Sequence, residues 1–172
     1  MWLFLKNLLF TVLVPGVVAG WVPVVYLRHR APAPTVLTAW QWAAAPLLLL
    51  GATVYGVCLW QFGTNGRGTP APIDPPKKLV VRGPYRWVRN PMYLGVLLFV
   101  LGEVVFFREL VLLLYLVFLT SAIQVFVVGF EEANLRRRFG ALYSDYCNVT
   151  PRWLPRKPRP PLQTVPPFIP SR

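Results

Sequence analysis

Histidine, cysteine and acidic residues are nearly missing from this chain, which has one His, two Cys and six Asp plus Glu in 172 residues. Cys58 lies inside an apolar run, Cys147 lies near the C-terminus, and the lone histidine is His29. Neither a zinc site nor a disulfide framework can be assembled from that inventory. Charge of any kind is also scarce, at 14% of residues, against roughly 25% in an ordinary soluble domain. The 18 Lys and Arg give a net charge of +12, but no basic soluble domain is present to bind nucleic acid. The basic residues fall between apolar runs, where they meet lipid headgroups and the cytoplasm.

What the chain has instead is apolar surface: 55% hydrophobic residues and a mean hydropathy of +0.49. Four apolar segments stand out, Leu8 to Leu27, Val36 to Phe62, Pro91 to Phe107 and Leu110 to Phe130. Each approaches or exceeds the ~20 residues that cross ~30 Å of hydrocarbon, the third being the shortest. Pro15, Pro23 and Pro46 interrupt the first two, which a membrane helix tolerates because neighbours re-satisfy the freed backbone. Lys6 before an apolar stretch resembles a signal peptide, but the segment is a full span without a small-residue cleavage site, so it is expected to be retained. The expected fold is all-α: an integral membrane bundle of about four transmembrane helices with a cytoplasmic C-terminal segment.

The connection Gly63 to Asn90 is rich in Gly and Pro and then basic, through Lys77, Lys78, Arg82, Arg86 and Arg89. Arg136, Arg137, Arg138, Arg152, Arg156 and Lys157 follow the fourth span. The positive-inside rule places both segments in the cytoplasm, so spans three and four form a hairpin turning near Arg108-Glu109. The N-terminus and Asn65 are then cytoplasmic, and Thr35 and Glu109 lie on the far side. Arg28-His29-Arg30 also falls there, a mild violation of the rule. The chain divides into two N-terminal helices (1–62), a core with the hairpin (63–155) and a Pro-rich basic tail (156–172) suited to lying extended on anionic headgroups. The expected location is a bacterial-type inner membrane with both termini cytoplasmic.

The hairpin brings two distant segments to one mouth: Gly83 to Gly95, entering span three, and Glu131-Glu132, leaving span four. At ~1.5 Å per residue from the turn, Tyr93 lies level with about Gln124, and the glutamates lie beside Tyr85 to Arg89. Pro91 suits a first helical turn, whose free N–H groups can hold an anion with Arg86 or Arg89 supplying charge. Gly95 permits close approach of a ligand or a neighbouring helix. The plain alternative makes Pro91 a helix start, Gly95 a packing contact and the arginines headgroup anchors. Two adjacent carboxylates facing a negative leaflet need compensation, either from Arg136 to Arg138 at i,i+4 or from a ligand with hydroxyls and a cationic centre.

Gly83-Pro-Tyr-Arg-Trp-Val-Arg-Asn-Pro-Met-Tyr-Leu-Gly95 is followed by Glu131-Glu132-x-x-Leu135, Phe139-Gly140, Tyr143, Tyr146 and Val149-x-Pro-Arg-Trp-Leu-Pro155. This ordered set resembles the isoprenylcysteine carboxyl methyltransferase and phospholipid methyltransferase superfamily, over about Gly63 to Pro155. The resemblance implies a multi-span helical enzyme that encloses S-adenosylmethionine at its cytoplasmic end, with a lipid or lipid-like acceptor arriving from the bilayer. Carried over by position, it implies cofactor contacts at Arg89, Asn90, Pro91, Met92, Tyr93, Gly95, Glu131 and Glu132, with Arg89, Glu131 and Glu132 catalytic. Tyr143, Tyr146 and Trp153 would flank the adenine or the acceptor, or else serve as belt aromatics. Asn90 stands where isoprenylcysteine enzymes have histidine, and an Asn-Pro-Met-Tyr version is similar to phosphatidylethanolamine N-methyltransferases.

The resemblance leaves the acceptor open among a prenylcysteine carboxylate, a phospholipid amine and a small thiol. Two other classes compete with it, a membrane reductase of the sterol-reductase kind and a non-catalytic membrane interaction protein. Glu103, inside span three, is expected to pair with Arg108 at the far interface. Ser121 and Gln124 are candidate interhelical partners or tunnel residues.

Overall fold

The computed structural model describes residues 9–28, 37–66 and 78–157. Lys6, Leu8, the segment from His29 through Thr35, the connection from residue 67 to Lys77, and the tail from residue 158 lie outside the described residues. So do the expectations placed on them.

Among the described residues the secondary structure is all helical. Helix α1 spans Leu9–Arg28. Helix α2, Ala39–Gln61, runs on through a π-helical turn, Phe62–Gly66. A 3₁₀ turn, Gly83–Arg86, leads to α3, Pro91–Phe107. Helix α4, Leu110–Phe126, passes through a further π turn, Val127–Glu131, into α5, Glu132–Phe139, and α6 is Ala141–Val149. α1, the rod from Ala39 to Thr64 and the rod from Leu110 to Phe139 are 20, 26 and 30 residues long and apolar enough to cross a membrane. α3 is the shorter fourth apolar helix. The protein is an integral membrane helical bundle.

The element ends follow local chemistry. Gln41 accepts a hydrogen bond from the Thr38 N–H (2.7 Å) at the start of α2, satisfying a donor that the helix leaves free. Pro91 opens α3, where its missing N–H costs nothing. The turn falls at Arg108-Glu109 as expected: Arg108 is left-handed (φ 56°) and its N–H caps the Val104 carbonyl. The fourth span does not stop at Phe130, because no breaker intervenes before Gly140 (φ 53°), and Arg136, Arg137 and Arg138 offset the dipole of that last turn.

The tightest interface is between α2 and α3. A Cβ on Gly51 would lie 2.6 Å from the Phe99 nitrogen and 2.7 Å from the Gly95 carbonyl oxygen, and one on Gly95 would lie 2.9 Å from the Tyr55 nitrogen. The two backbones therefore touch, as small residues permit between membrane helices. This contact rigidly joins the start of α3 to α2. Cys58, Val80, Tyr85 and Met92 form a buried cluster beside it, with the Phe62 ring edge-on to Tyr85 at 5.6 Å.

Arg108 and Glu103 depart from expectation. Arg108 does not pair with Glu103; its guanidinium sits 4.9 Å over the Trp40 ring, because the left-handed residue that ends α3 carries its side chain off that helix face. Glu103 is 8% exposed, and its Oε2 has no hydrogen-bond partner.

Candidate functional site

The site begins where the chain enters α3. Tyr85 is buried in the 3₁₀ turn, and its carbonyl accepts a hydrogen bond from the Tyr146 hydroxyl (2.7 Å), which docks α6 onto that turn. The chain after α6 then doubles back as a strap. The Arg89 N–H donates to the Pro151 carbonyl (2.8 Å), the Arg156 N–H to the Trp87 carbonyl (3.0 Å), and Asn90 Nδ2 to the Arg152 carbonyl (3.2 Å). Trp153 Nε1 ties the same strap to Gln124 Oε1 (2.7 Å) on α4.

The two glutamates have different surroundings. Glu131 Oε2 accepts the Tyr93 hydroxyl at 2.8 Å. Glu132, 2% exposed, accepts Arg89 NH1 (3.1 Å), Arg136 NH2 (3.3 Å) and both Arg152 Nε (2.7 Å) and NH2 (3.1 Å). Successive residues of a helix point about 100° apart, so the two carboxylates meet different neighbours.

Counting residues from the turn places Tyr93 level with Gln124, yet its partner is Glu131, ~10 Å further along the rod. Helical side chains lean toward their own N-terminus. On α3 that direction leads toward the Arg89 end, and on the antiparallel α4 rod it leads away from it. The long Tyr93 and Glu131 side chains therefore close the gap from both sides.

A cavity of about 460 Å³ lies between these elements, lined by Arg89, Asn90, Tyr93 and Glu131 together with Tyr85, Asn134, Tyr143 and Tyr146. Its volume falls within the roughly 300–1,000 Å³ of small-molecule sites. A smaller apolar cavity of about 150 Å³ shares the Arg89, Asn90, Tyr93 and Glu131 wall and extends along Phe10, Val14, Pro15 and Val18 of α1. Burial pushes the Tyr143 and Tyr146 phenols above their ordinary range, so both present neutral hydroxyls. Arg89 NH1 is shared between Glu132 and Cys147 Sγ (2.9 Å), whereas its buried Nε has no partner. An unpaired buried donor costs about 1–3 kcal/mol.

Of the residues singled out in the sequence, Arg89, Asn90, Met92, Tyr93, Glu131, Tyr143 and Tyr146 line one or both cavities. Pro91 is buried at the helix start, Gly95 faces Gly51 and Tyr55 of α2, and Glu132 lies behind the wall among its arginines. Ser121 bonds its own helix at Val117. Sequence reasoning missed Cys147, Asn134, the α1 wall and the role of Arg152 as a partner of Glu132. For Arg152 a signal existed, since it sits inside the Val149 to Pro155 motif. The α1 wall had none, because one apolar helix face looks like another.

The sequence model of the phospholipid methyltransferase family matches residues 39–141. The match begins at the first residue of α2 and ends at the first of α6, so it contains Arg89, Tyr93, Glu131, Glu132 and the glycine contact. It leaves out α1, most of α6 and the strap. No curated protein and no solved structure matches the chain. With more than half of its length covered by that family, and the matched segment folded into a membrane bundle around the shared cavity, the chain belongs to the phospholipid methyltransferase family.

Proposed function

We propose that the protein transfers a methyl group from S-adenosylmethionine, held in the larger cavity, to a phospholipid amine or a similar membrane-partitioned acceptor. The observation that carries this reading is the shared wall of Arg89, Asn90, Tyr93 and Glu131. These few polar groups converge on two adjoining, largely apolar cavities, both bordered by Phe10 and Val14 of the membrane helix α1, a setting that suits a small-molecule donor beside a lipid-like acceptor.

The residues present fit the cofactor. Arg89, which lines the cavity, suits the carboxylate of an amino-acid portion, and Glu131 suits an ammonium or ribose hydroxyls. The neutral Tyr143 and Tyr146 hydroxyls supply hydrogen bonds, and their rings form an apolar wall for a base. When bound, the cofactor supplies an electrophilic methyl group on a sulfonium.

The protein's contribution is alignment and exclusion of water. Arg89 and Asn90 are held by the strap, Tyr93 by Glu131, and the start of α3 by the glycine contact with α2. An amine acceptor must lose a proton before it attacks, and Glu131, with Oε2 already accepting from Tyr93, can receive it. The position of Asn90 agrees with that chemistry, since an amide orients groups by hydrogen bonding and carries no proton at neutral pH. We place this mouth in the cytoplasm, where the basic residues of both adjoining segments belong.

Membranes from cells expressing the protein, given a methyl-labelled donor, are expected to yield label in an extracted lipid. Label confined to water-soluble products would contradict the lipid acceptor. Stabilisation of the purified protein by NADPH alone would favour a reductase.

A further inference from the structure

Glu132 receives more charged hydrogen bonds than any other described side chain, yet it does not face the cavity. We infer that Glu132 and Arg152 are positioning residues, which orient the cavity-lining Arg89 and latch the strap from Thr150 to Arg156 onto the entrance of α3. This rests on reading the cavity as a cofactor site.

Three observations support it. Glu132 binds Arg152 through both oxygens, at 2.7 and 3.1 Å, the geometry that most restricts a guanidinium. The same carboxylate takes Arg89 NH1 at 3.1 Å, so one end of the guanidinium of this cavity-lining residue is held. The strap is also stitched to the entrance of α3 by the backbone bonds from Arg89 to Pro151 and from Arg156 to Trp87. Arg89 thus meets the strap twice, once through its backbone and once through the shared carboxylate. Opening the strap breaks both connections and frees the guanidinium to turn.

Closure also positions Asn90, whose side chain bonds the Arg152 carbonyl. A ligand held by the Arg89 and Asn90 wall therefore favours the closed strap, and a closed strap favours the ligand, since coupling between two such equilibria is reciprocal. Glu132 and Arg152 act through other groups and need not touch a ligand.

The test is amide hydrogen exchange on the full chain in micelles, together with titration of S-adenosylhomocysteine, for wild type, Glu132→Gln, Arg152→Gln and Arg152→Lys. Without ligand, the Arg89 and Arg156 amides should exchange about tenfold faster or more in both Gln variants, while amides around Gly51 and Gly95 stay as in wild type. S-adenosylhomocysteine affinity should fall in parallel by about tenfold or more, with Arg152→Lys between. Should removal of the buried carboxylate unfold Glu132→Gln, Arg152→Gln decides, because Arg152 is partly exposed on the strap. Unchanged strap exchange in Arg152→Gln overturns the latch, and faster exchange with unaltered affinity overturns the positioning role. If wild type binds no S-adenosylhomocysteine, the cofactor reading fails and the exchange data still decide the latch.

Discussion

At the scale of single residues, the two adjacent glutamates do unlike things. Glu131 looks into the cavity with Tyr93 as its donor, and Glu132 is enclosed by Arg89, Arg136 and Arg152. The sequence shows that a carboxylate pair needs compensation, and Arg136 at i,i+4 is legible there. Which of the two faces the cavity is not legible, because the register depends on a π turn that no residue of Val127–Glu131 announces. Tyr93→Phe removes one neutral-to-charged hydrogen bond and should weaken S-adenosylhomocysteine binding by about 1 kcal/mol, roughly fivefold, by titration calorimetry. Glu131→Gln should cost on the order of 1.5 to 3 kcal/mol in the same measurement, and the double variant should lose less than the sum, since the two groups share one bond. Glu103→Gln, buried far from this wall, should bind like wild type.

At the scale of elements, the helices and their turn at Arg108 were legible because apolar length, Pro91 and the basic flanks each mark a boundary. The packing was not. Gly95 carries the same signal in sequence whether it admits a ligand or a helix, and only its juxtaposition with Gly51 settles that it admits a helix. Gly95→Leu should force α2 and α3 apart and lower thermal stability in detergent by about 1–3 kcal/mol, the usual cost of overpacking. Gly129→Ala, whose added methyl meets nothing within 4 Å, should leave the melting temperature unchanged or raise it. If Gly95→Leu melts like wild type, the close contact does not hold the site in place. The hydrogen bond from Tyr115 to the Val18 carbonyl (2.8 Å) docks α1 against α4. Within α1 the residues Val17–Trp21 form a π turn in which the Val22 N–H bonds the Val17 carbonyl, which leaves the Val18 oxygen free for that hydroxyl.

At the scale of the whole molecule, the chain is a bundle whose candidate site lies at one end, where both long rods and the strap meet. We predict that this end is cytoplasmic. In a variant with Cys58 and Cys147 replaced by Ser, single cysteines at Asn65 and Glu109 should react with an impermeant reagent in intact cells only at Glu109; labelling at Asn65 would reverse the orientation. Membership of the methyltransferase family and the shape of the cavity converge on a single claim, that segments nearly forty residues apart, Arg89 to Tyr93 and Glu131, build one cofactor site. A ligand at 100 times its dissociation constant stabilises a fold by about 2.7 kcal/mol, so binding is easily seen as a thermal shift as well. The most direct measurement is isothermal titration of S-adenosylhomocysteine into wild type, Arg89→Gln and Glu131→Gln, each shown folded by its melting curve. We predict one site in wild type and a loss of about tenfold or more in both variants; wild-type affinity in both, or no binding by the wild type, would contradict the account.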